Sequence, residues 1–471
     1  MLFNSYTFWT FYLLVFLAYW ALKHRHQNTL LLIASYVFYG AWDWRFLFLI
    51  FTSTLIDFIL AQYIHGASIQ KRKKFYLVLS IIANLTVLGF FKYYNFFSFE
   101  LNSLFVNIGI TSMLPTLDVI LPVGISFYTF QTMSYSIDVY RDEIKPTRNF
   151  KDYALYVSFF PQLVAGPIER SSRLLPQVLH KRKWEKDYFL EGLYLIFYGL
   201  FLKIVIADNM APITNYIFSK DASQLGSLEI LLGIYAFAFQ IYGDFAGYSS
   251  IARGIAKWLG FDLMVNFRMP YFAKDPSDFW KRWHISLSSW FRDYVYIPLG
   301  GNRDGKLASH RNLILTMFLS GLWHGAAWTY VLWGILHGLY LSIFNVFKIK
   351  KGKPSAGKNR VKSVFSMILM FHLVCLAWLL FRAKDFDQAW SFLIRLFSLS
   401  MEVSTFFIGS VSLMVFYIVP LLSYEYWTEK RGLMALSKHS VVVQALFYVY
   451  IIIMLLFFPS PTAHEFIYFQ F

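Results

Sequence analysis

The sequence predicts an all-α polytopic membrane protein with about 10–12 transmembrane segments. Hydrophobic residues make up 57% of the chain and charged residues only 15%, against roughly 45–50% and about 25% in soluble domains. The apolar residues fall in blocks of about 15–25, a length that crosses the roughly 30 Å of hydrocarbon in a bilayer. Aromatic residues reach 21%, which suits helix ends at lipid interfaces, where Trp and Tyr concentrate.

The first apolar block, residues 1–22, is interpreted as a transmembrane helix and not as a cleaved signal peptide. Its positive charges, Lys23 and Arg25, follow the apolar run, whereas a signal peptide carries its positive charges first and ends at a small-residue cleavage site. Nine further spans are expected along the chain. The ten spans lie at residues 7–22, 28–42, 45–64, 75–91, 117–139, 188–211, 229–248, 363–381, 406–424 and 442–458.

Two further apolar stretches do not fit a single span. Residues 313–346 are long enough for a helical hairpin, which Gly321, His324 and Gly325 interrupt near one third of its length. Residues 153–168 contain two prolines and a glycine and predict a re-entrant or interfacial piece. Irregular backbone at membrane depth is tolerated only where protein or a water-filled cavity covers it.

Lys and Arg residues predict the orientation, because 36 of the 43 lie in alternate loops. These loops are residues 23–27, 71–74, 141–151, 170–186, 253–311, 348–362 and 428–438. A bias of this size marks the basic side as cytoplasmic and leaves both termini outside. Residues 249–310, rich in Trp and Tyr, are then expected to form an amphipathic layer on the cytoplasmic side, and residues 348–362 a flexible cytoplasmic loop.

Several functional classes are excluded by the same composition. The formal charge of +16 lies in short loops between apolar spans, so no nucleic-acid surface is expected. The sole cysteine, Cys375, lies in an apolar run, which excludes a disulfide framework and a cysteine metal site. No cluster of His, Asp or Glu has metal-ligand spacing, and no internal repeat of the kind found in many transporters is visible.

Ionisable residues inside the spans are costly and are treated as functional candidates. For most of them the structural interpretation, pairing or packing within the bundle, is favoured over a functional one. His324 differs, because small residues flank it at the expected helix break and imidazole has a side-chain pKa near neutrality, suited to exchanging a proton with a hydroxyl. The candidates are Asp57, Lys203, Asp208, Asp244, His324, His337 and His372.

A second cluster, residues 278–293, interleaves cations with tryptophans. Most of it is interpreted as an interfacial helix, with Trp at headgroup depth and Lys and Arg reaching toward phosphates. His284 is the exception, because a second histidine 40 residues before His324 could orient a thioester or a hydroxyl.

Six ordered motifs resemble the membrane-bound O-acyltransferase family, and within it the bacterial branch typified by alginate O-acetylation. The resemblance runs from the first span to residues 466–471. One departure is Ser250, which stands where an acidic residue often follows the Gly-Tyr-Ser stretch in related sequences, so this stretch receives no catalytic role. The motifs are Trp-His-Gly at 323–325 and the stretches 282–288, 296–301, 121–131, 160–168 and 244–249.

The resemblance implies a single domain over residues 1–471, a helical bundle around a funnel or tunnel, with re-entrant and interfacial helices. It implies His324 as the essential histidine and His284 as the secondary one. It further implies a multi-pass enzyme of the bacterial inner membrane that moves an acetyl group from a cytoplasmic thioester, acetyl-CoA or an acyl carrier, across the membrane. Periplasmic or surface acetyltransferase partners would then modify a polysaccharide, and no cofactor beyond the acyl donor is expected.

Two alternatives stay open from the sequence. One is an acyltransferase of the same family that acts on peptidoglycan, on teichoic acid with D-alanine, or on a lipid. The other is a non-catalytic transporter of lipid-linked sugar or acetyl groups, for which internal repeats and paired broken helices would be expected. The acyltransferase interpretation also predicts that Trp at Gly321 or Gly325 blocks transfer without unfolding the bundle.

Overall fold

The chain is helical in a computed structural model that describes residues 1–110, 114–164, 166–351, 360–432, 434–462 and 466–467. Over these residues no strand is present, which confirms the all-α prediction. Seven of the described helices are long and apolar enough to cross a membrane, and two shorter apolar helices, Tyr6–Ala21 and Val441–Phe457, accompany them. The protein is therefore a multi-pass membrane protein.

The described residues divide into two compact units. The first comprises Met1–Ile196 and Ile251–Met264, and the second comprises Phe197–Ser250 and Val265–Phe471. The expectation of a single domain over residues 1–471 stays a prediction. The helices up to the second unit are α1 Tyr6–Ala21, α2 His24–Gly40, α3 Phe46–Gly66, α4 Gln70–Leu88, α5 Tyr94–Asn107, α6 Ile125–Tyr140, α7 Phe150–Ser158, α8 Phe160–Leu163, α9 Ser171–Leu179 and α10 Lys186–Leu200.

The second unit begins within α10 and contains most of the long helices. Polar residues cap the N-termini of several helices. The side chain of Asp275 accepts a hydrogen bond from the backbone N–H of Asp278 at 2.8 Å, and that of Asp385 accepts one from the backbone N–H of Gln388 at 2.8 Å. The helices are α11 Asp208–Phe218, α12 Ser227–Trp258, α13 Pro276–Trp280, α14 Ile285–Phe291, α15 Lys306–His324, α16 Trp328–Lys351, α17 Arg360–Arg382, α18 Phe386–Phe397, α19 Thr405–Arg431 and α20 Val441–Phe457.

Two predicted boundaries are wrong. The span expected at 117–139 is helical only from Ile125, because Pro122 disfavours helical backbone in the residue before it and Gly124 adopts a left-handed φ of +77°. The layer expected at 249–310 starts later, because α12 continues as a regular helix to Trp258.

The stretch at 153–168 is interrupted, as its prolines and glycine predict. The helix α7 ends at Ser158, and α8 begins at Phe160 with Pro161 in its first turn, where proline costs no helical hydrogen bond. Phe159 and Phe160 are completely buried. Protein therefore covers this irregular backbone, as its sequence requires.

The polar residue Asp57 lies in the interior of the first unit, on α3, and is fully buried. Its carboxylate accepts hydrogen bonds from Ser80, from Asn84 at 2.7 Å and from Ser136 at 3.2 Å. Buried polar groups are tolerated when they are hydrogen-bonded in this way. The structural interpretation of Asp57 is confirmed.

Cysteine labelling should reveal the orientation predicted from the basic loops. In a Cys375→Ser background, a cysteine at position 355 should react only from the cytoplasmic side, and a cysteine at position 100 only from the outer side. Position 355 lies outside the described residues, whereas position 100 belongs to α5. The measurement is modification by an impermeant maleimide in intact and in permeabilised cells, and the opposite pattern would overturn the orientation.

Candidate active site

His324 is the last residue of α15, at the point where the hairpin turns. Gly325 is extended there, with φ −168° and ψ 159°, and α16 begins at Trp328. The helix break that the sequence predicts is therefore confirmed.

Two glycines allow α15 and α16 to pack closely beneath this turn. A Cβ atom on Gly321 would lie 2.3 Å from the backbone oxygen of Tyr330, and one on Gly334 would lie 2.2 Å from that of Met317. A Cβ on Gly325 would lie 2.3 Å from the ring of Tyr330. A side chain at Gly321 would have to displace the backbone of α16, and one at Gly325 the ring of Tyr330. That Trp at Gly321 or Gly325 blocks transfer without unfolding the bundle stays a prediction.

Aromatic rings enclose the imidazole of His324. Trp323, Trp333 and Phe381 contact it with centroid distances of 5.1, 5.0 and 5.2 Å, each nearly perpendicular to the imidazole plane. Only 3% of the residue is exposed. Packing on three sides fixes the ring orientation, which a general base needs if it is to meet a hydroxyl at hydrogen-bond distance.

His284 lies immediately before α14 in a left-handed backbone conformation, with φ 42° and ψ 55°. Its ring contacts Phe245 at 4.6 Å and Phe267 at 6.2 Å. Complete burial lowers the pKa of His284 to about 3. The imidazole is therefore neutral near pH 7 and can donate or accept a hydrogen bond without carrying charge.

Asn266 holds the backbone around His284 in place. Its backbone carbonyl accepts a hydrogen bond from the N–H of Ile285 at 2.9 Å, and its side-chain Oδ1 accepts one from the hydroxyl of Ser286 at 2.9 Å. Its Nδ2 donates to Ser249 Oγ at 3.1 Å. A non-glycine residue with positive φ persists only where its surroundings impose it. Sequence reasoning missed Asn266, because its partners are distant in the chain and one asparagine in a loop carries no signal of its own.

The two predicted site histidines belong to one aromatic cluster. Trp323 contacts both, with centroid distances of 6.0 Å to His284 and 5.1 Å to His324. His337 joins the cluster from the other side, 4.8 Å from Trp333. His372 lies outside this cluster and is hydrogen-bonded, since its Nε2 lies 2.7 Å from the hydroxyl of Tyr235.

The remaining charged candidates in the second unit form an ion cluster. Lys203 lies 2.9 Å from Asp208 and 2.7 Å from Asp244. Asp244 also accepts from the backbone N–H of Ile467 at 2.6 Å. All three side chains are buried and paired, which confirms the structural interpretation that the sequence favoured for Lys203 and Asp208. Among the described residues, no group of three or more His, Cys, Asp or Glu could hold a metal ion.

If His284 orients the thioester and His324 is the base, replacing His284 with Ala should lower acyl transfer strongly, though less completely than loss of His324, because an orienting group is easier to bypass than a base. The measurement is acetyl content of the product at equal amounts of membrane-inserted protein. His439→Ala provides the control, since His439 is exposed and lies outside the cluster. Full activity of His284→Ala would reduce residues 278–293 to an interfacial anchor.

Replacing Asn266 with Ala should lower activity about tenfold, since it removes the side-chain bond to Ser286 beside His284, although the backbone bond to Ile285 remains. Ser249→Ala removes the bond on the far side of Asn266 and leaves the bond to Ser286 intact, so its effect should be smaller. The measurement is kcat and KM for both variants, with thermal unfolding in detergent as the folding check. An Asn266→Ala protein that folds and retains wild-type kcat would contradict this role.

Comparison with known proteins bears on the chemistry of this site. The membrane-bound O-acyltransferase family matches residues 29–349. The chain is 40% identical over 400 residues to a probable alginate O-acetylase of Azotobacter vinelandii, covering 84% of this chain and 78% of the relative. It is 37% identical over 421 residues to a peptidoglycan O-acetyltransferase of Helicobacter pylori, covering 83% and 78%. A teichoic acid D-alanyltransferase of Bacillus subtilis is 29% identical over 280 residues, covering 56% and 70%.

Proposed function

The chain belongs to the membrane-bound O-acyltransferase family, and we propose that it takes an acetyl group from a cytoplasmic thioester and passes it across the membrane for O-acetylation of a polysaccharide such as alginate. The enzyme class follows from the family, whose relatives here are all acyltransferases. Membership also disfavours the non-catalytic transporter. The observation that carries the proposed chemistry is His324, a histidine enclosed by aromatic rings at the break between α15 and α16.

In the proposed reaction, a hydroxyl oxygen attacks the thioester carbonyl while His324 takes the hydroxyl proton. The tetrahedral intermediate then collapses, the C–S bond breaks, and the imidazolium returns the proton to the departing thiolate. The products are an O-acetyl ester and a free thiol, and no other reactant is consumed. A positioned base contributes about 10²–10⁴-fold in rate. Alignment of an already activated acyl group adds several kcal/mol, up to about 7–11 for ideal geometry.

His284 supports this step as a neutral group. With its pKa lowered to about 3 by burial, it stays uncharged across the physiological range. It can therefore orient the thioester or donate a hydrogen bond toward the oxygen of the tetrahedral intermediate. Its contact with Trp323, next to His324 in the chain, supports a role in the same reaction.

The polymer that finally receives the acetyl group is proposed from the names of the relatives. Alginate is the polymer in the name of the relative at 40% identity, so an extracytoplasmic polysaccharide is the first candidate. Periplasmic or surface acetyltransferases would complete the transfer, and the bacterial inner membrane would hold the enzyme. Peptidoglycan is the second candidate, because a relative at 37% identity is a peptidoglycan O-acetyltransferase and is covered to the same extent.

Acetyl analysis of cell-envelope polymers, with and without this gene, tests the proposal. Deletion should remove O-acetyl groups from the surface polysaccharide, and complementation with the wild-type gene should restore them. Loss of acetyl from peptidoglycan alone would select the second candidate, and loss of D-alanine esters would select the teichoic acid reaction. Unchanged acylation of all three polymers would contradict the proposed function.

A further inference from the structure

A group of three polar rings lies beside His324, and the reaction proposed above does not use it. The rings belong to Trp280, Trp333 and His337, and we call them the polar triad. Each contacts the other two: Trp280 lies 5.8 Å from Trp333 and 5.1 Å from His337, and Trp333 lies 4.8 Å from His337. Trp333 in turn contacts His324 at 5.0 Å. The triad is thus one ring away from the candidate base.

The polar atoms of the triad are buried without hydrogen bonds. Trp333 and His337 are 0% exposed. The indole Nε1 atoms of Trp280 and Trp333 and both ring nitrogens of His337 have no hydrogen-bond partner among the described residues. Buried polar groups are nearly always satisfied in native proteins, and leaving one unsatisfied costs free energy. Four such atoms on three touching rings indicate a place that receives a polar ligand.

The positions of the three residues on their helices indicate from which side of the membrane a ligand would reach the triad. Trp333 and His337 are four residues apart on α16, so their side chains lie on one face of that helix. Trp280 ends α13, in the layer predicted to lie on the cytoplasmic side. His337 lies farther from the turn at His324 than Trp333 does, toward the basic loop at 348–362. In the predicted orientation, a molecule from the cytoplasm would pass His337 before it reaches His324.

The chemistry of the rings indicates the class of ligand. An indole N–H only donates a hydrogen bond, whereas a neutral imidazole donates one and accepts one. The triad therefore offers up to three donors and one acceptor, which matches carbonyl oxygens together with an amide N–H. The pantetheine arm shared by coenzyme A and acyl carrier proteins carries two amides next to the thioester.

We propose that the polar triad binds the amide groups of the thioester donor's arm and thereby places the acetyl carbon at His324. This inference rests on the proposed function, because it requires a thioester donor. His337 is then a substrate-binding residue that acts on the arm of the donor and takes no part in the transfer of the proton.

The test compares two acetyl donors that differ in the arm: acetyl-CoA, which has the amides, and S-phenyl thioacetate, which has none. His337→Phe keeps a ring of similar shape and removes both polar atoms. It should raise KM for acetyl-CoA about tenfold, the effect of roughly one lost hydrogen-bonding group, and leave KM for S-phenyl thioacetate unchanged. His337→Asn, whose carboxamide both donates and accepts, should restore part of the affinity for acetyl-CoA.

His372→Phe is the matched control, since His372 also lies in a membrane-spanning helix but bonds to Tyr235 and is outside the triad. It should change neither KM. Equal losses with both donors in His337→Phe, or a lowered melting temperature without donor selectivity, would assign His337 to packing and overturn the inference alone. A wild-type enzyme that uses both donors with the same KM would also overturn it. A wild-type enzyme that accepts no thioester would overturn the proposed function as well.

Discussion

Replacing His324 with Ala is expected to reduce acetyl transfer by about 10²–10⁴-fold, the contribution of a positioned general base, and thus to abolish detectable acetylation in cells. Removal of the imidazole leaves the attacking hydroxyl without a proton acceptor inside an aromatic cage, where Trp323, Trp333 and Phe381 cannot take its place. Expression and membrane insertion should stay near wild type, because His324 is the last residue of α15 and its replacement interrupts no helix. The measurement is acetyl release from purified polymer, normalised to protein in the membrane.

The matched control for this experiment is His372→Ala. Both histidines lie in the apolar part of the chain, but the Nε2 of His372 is engaged by the hydroxyl of Tyr235 at 2.7 Å, away from the cluster around His324. Loss of activity in both variants would indicate a general cost of removing intramembrane polar groups. Normal polymer acetylation in the His324→Ala strain would refute the role of the base.

The helix break at His324 could be predicted because its signals are local. Small residues flank the histidine, the apolar stretch is too long for one span, and α15 indeed ends at His324. The spans were predictable for the same reason, since length and hydropathy are properties of a continuous segment. The ends of the spans were less predictable: α6 begins only after Pro122 and Gly124, and α12 continues as a regular helix to Trp258.

The surroundings of the site could not be predicted, because they depend on contacts between distant segments. The cage of His324 includes Phe381 from α17, and the conformation of His284 depends on Asn266, 18 residues earlier in the chain. His337 was expected to be a packing residue from its apolar helix. Only the folded chain brings its ring against Trp280 and Trp333.

The amphipathic helix α18, Phe386–Phe397, was missed for a different reason. A search for long apolar blocks does not detect a 12-residue helix with one apolar face and one polar face. Asp385 at its N-cap and its bond to the backbone of Gln388 form a local start signal that could have been found.

Replacing Gly321 with Ala is expected to destabilise the hairpin that carries His324, with a loss of at least about 1–3 kcal/mol in the free energy of unfolding. The added Cβ would lie 2.3 Å from the backbone oxygen of Tyr330 and 3.1 Å from the Cα of Gly334. Neither atom can rotate away, because both belong to the backbone of α16. The two helices must therefore separate, and acetyl transfer should fall together with thermal stability.

Gly409→Ala is the matched control for Gly321→Ala. Gly409, like Gly321, lies inside a long helix, here the membrane-spanning α19, but a Cβ atom there would meet nothing within 4 Å. Its replacement should be neutral or stabilising by up to about 1 kcal/mol, since Ala favours helix over Gly. The measurement is thermal unfolding of both variants in the same detergent, with activity in parallel. If Gly321→Ala melts as Gly409→Ala does, α15 and α16 are not in the close contact that positions His324, and the turn of the hairpin must hold the histidine by other means.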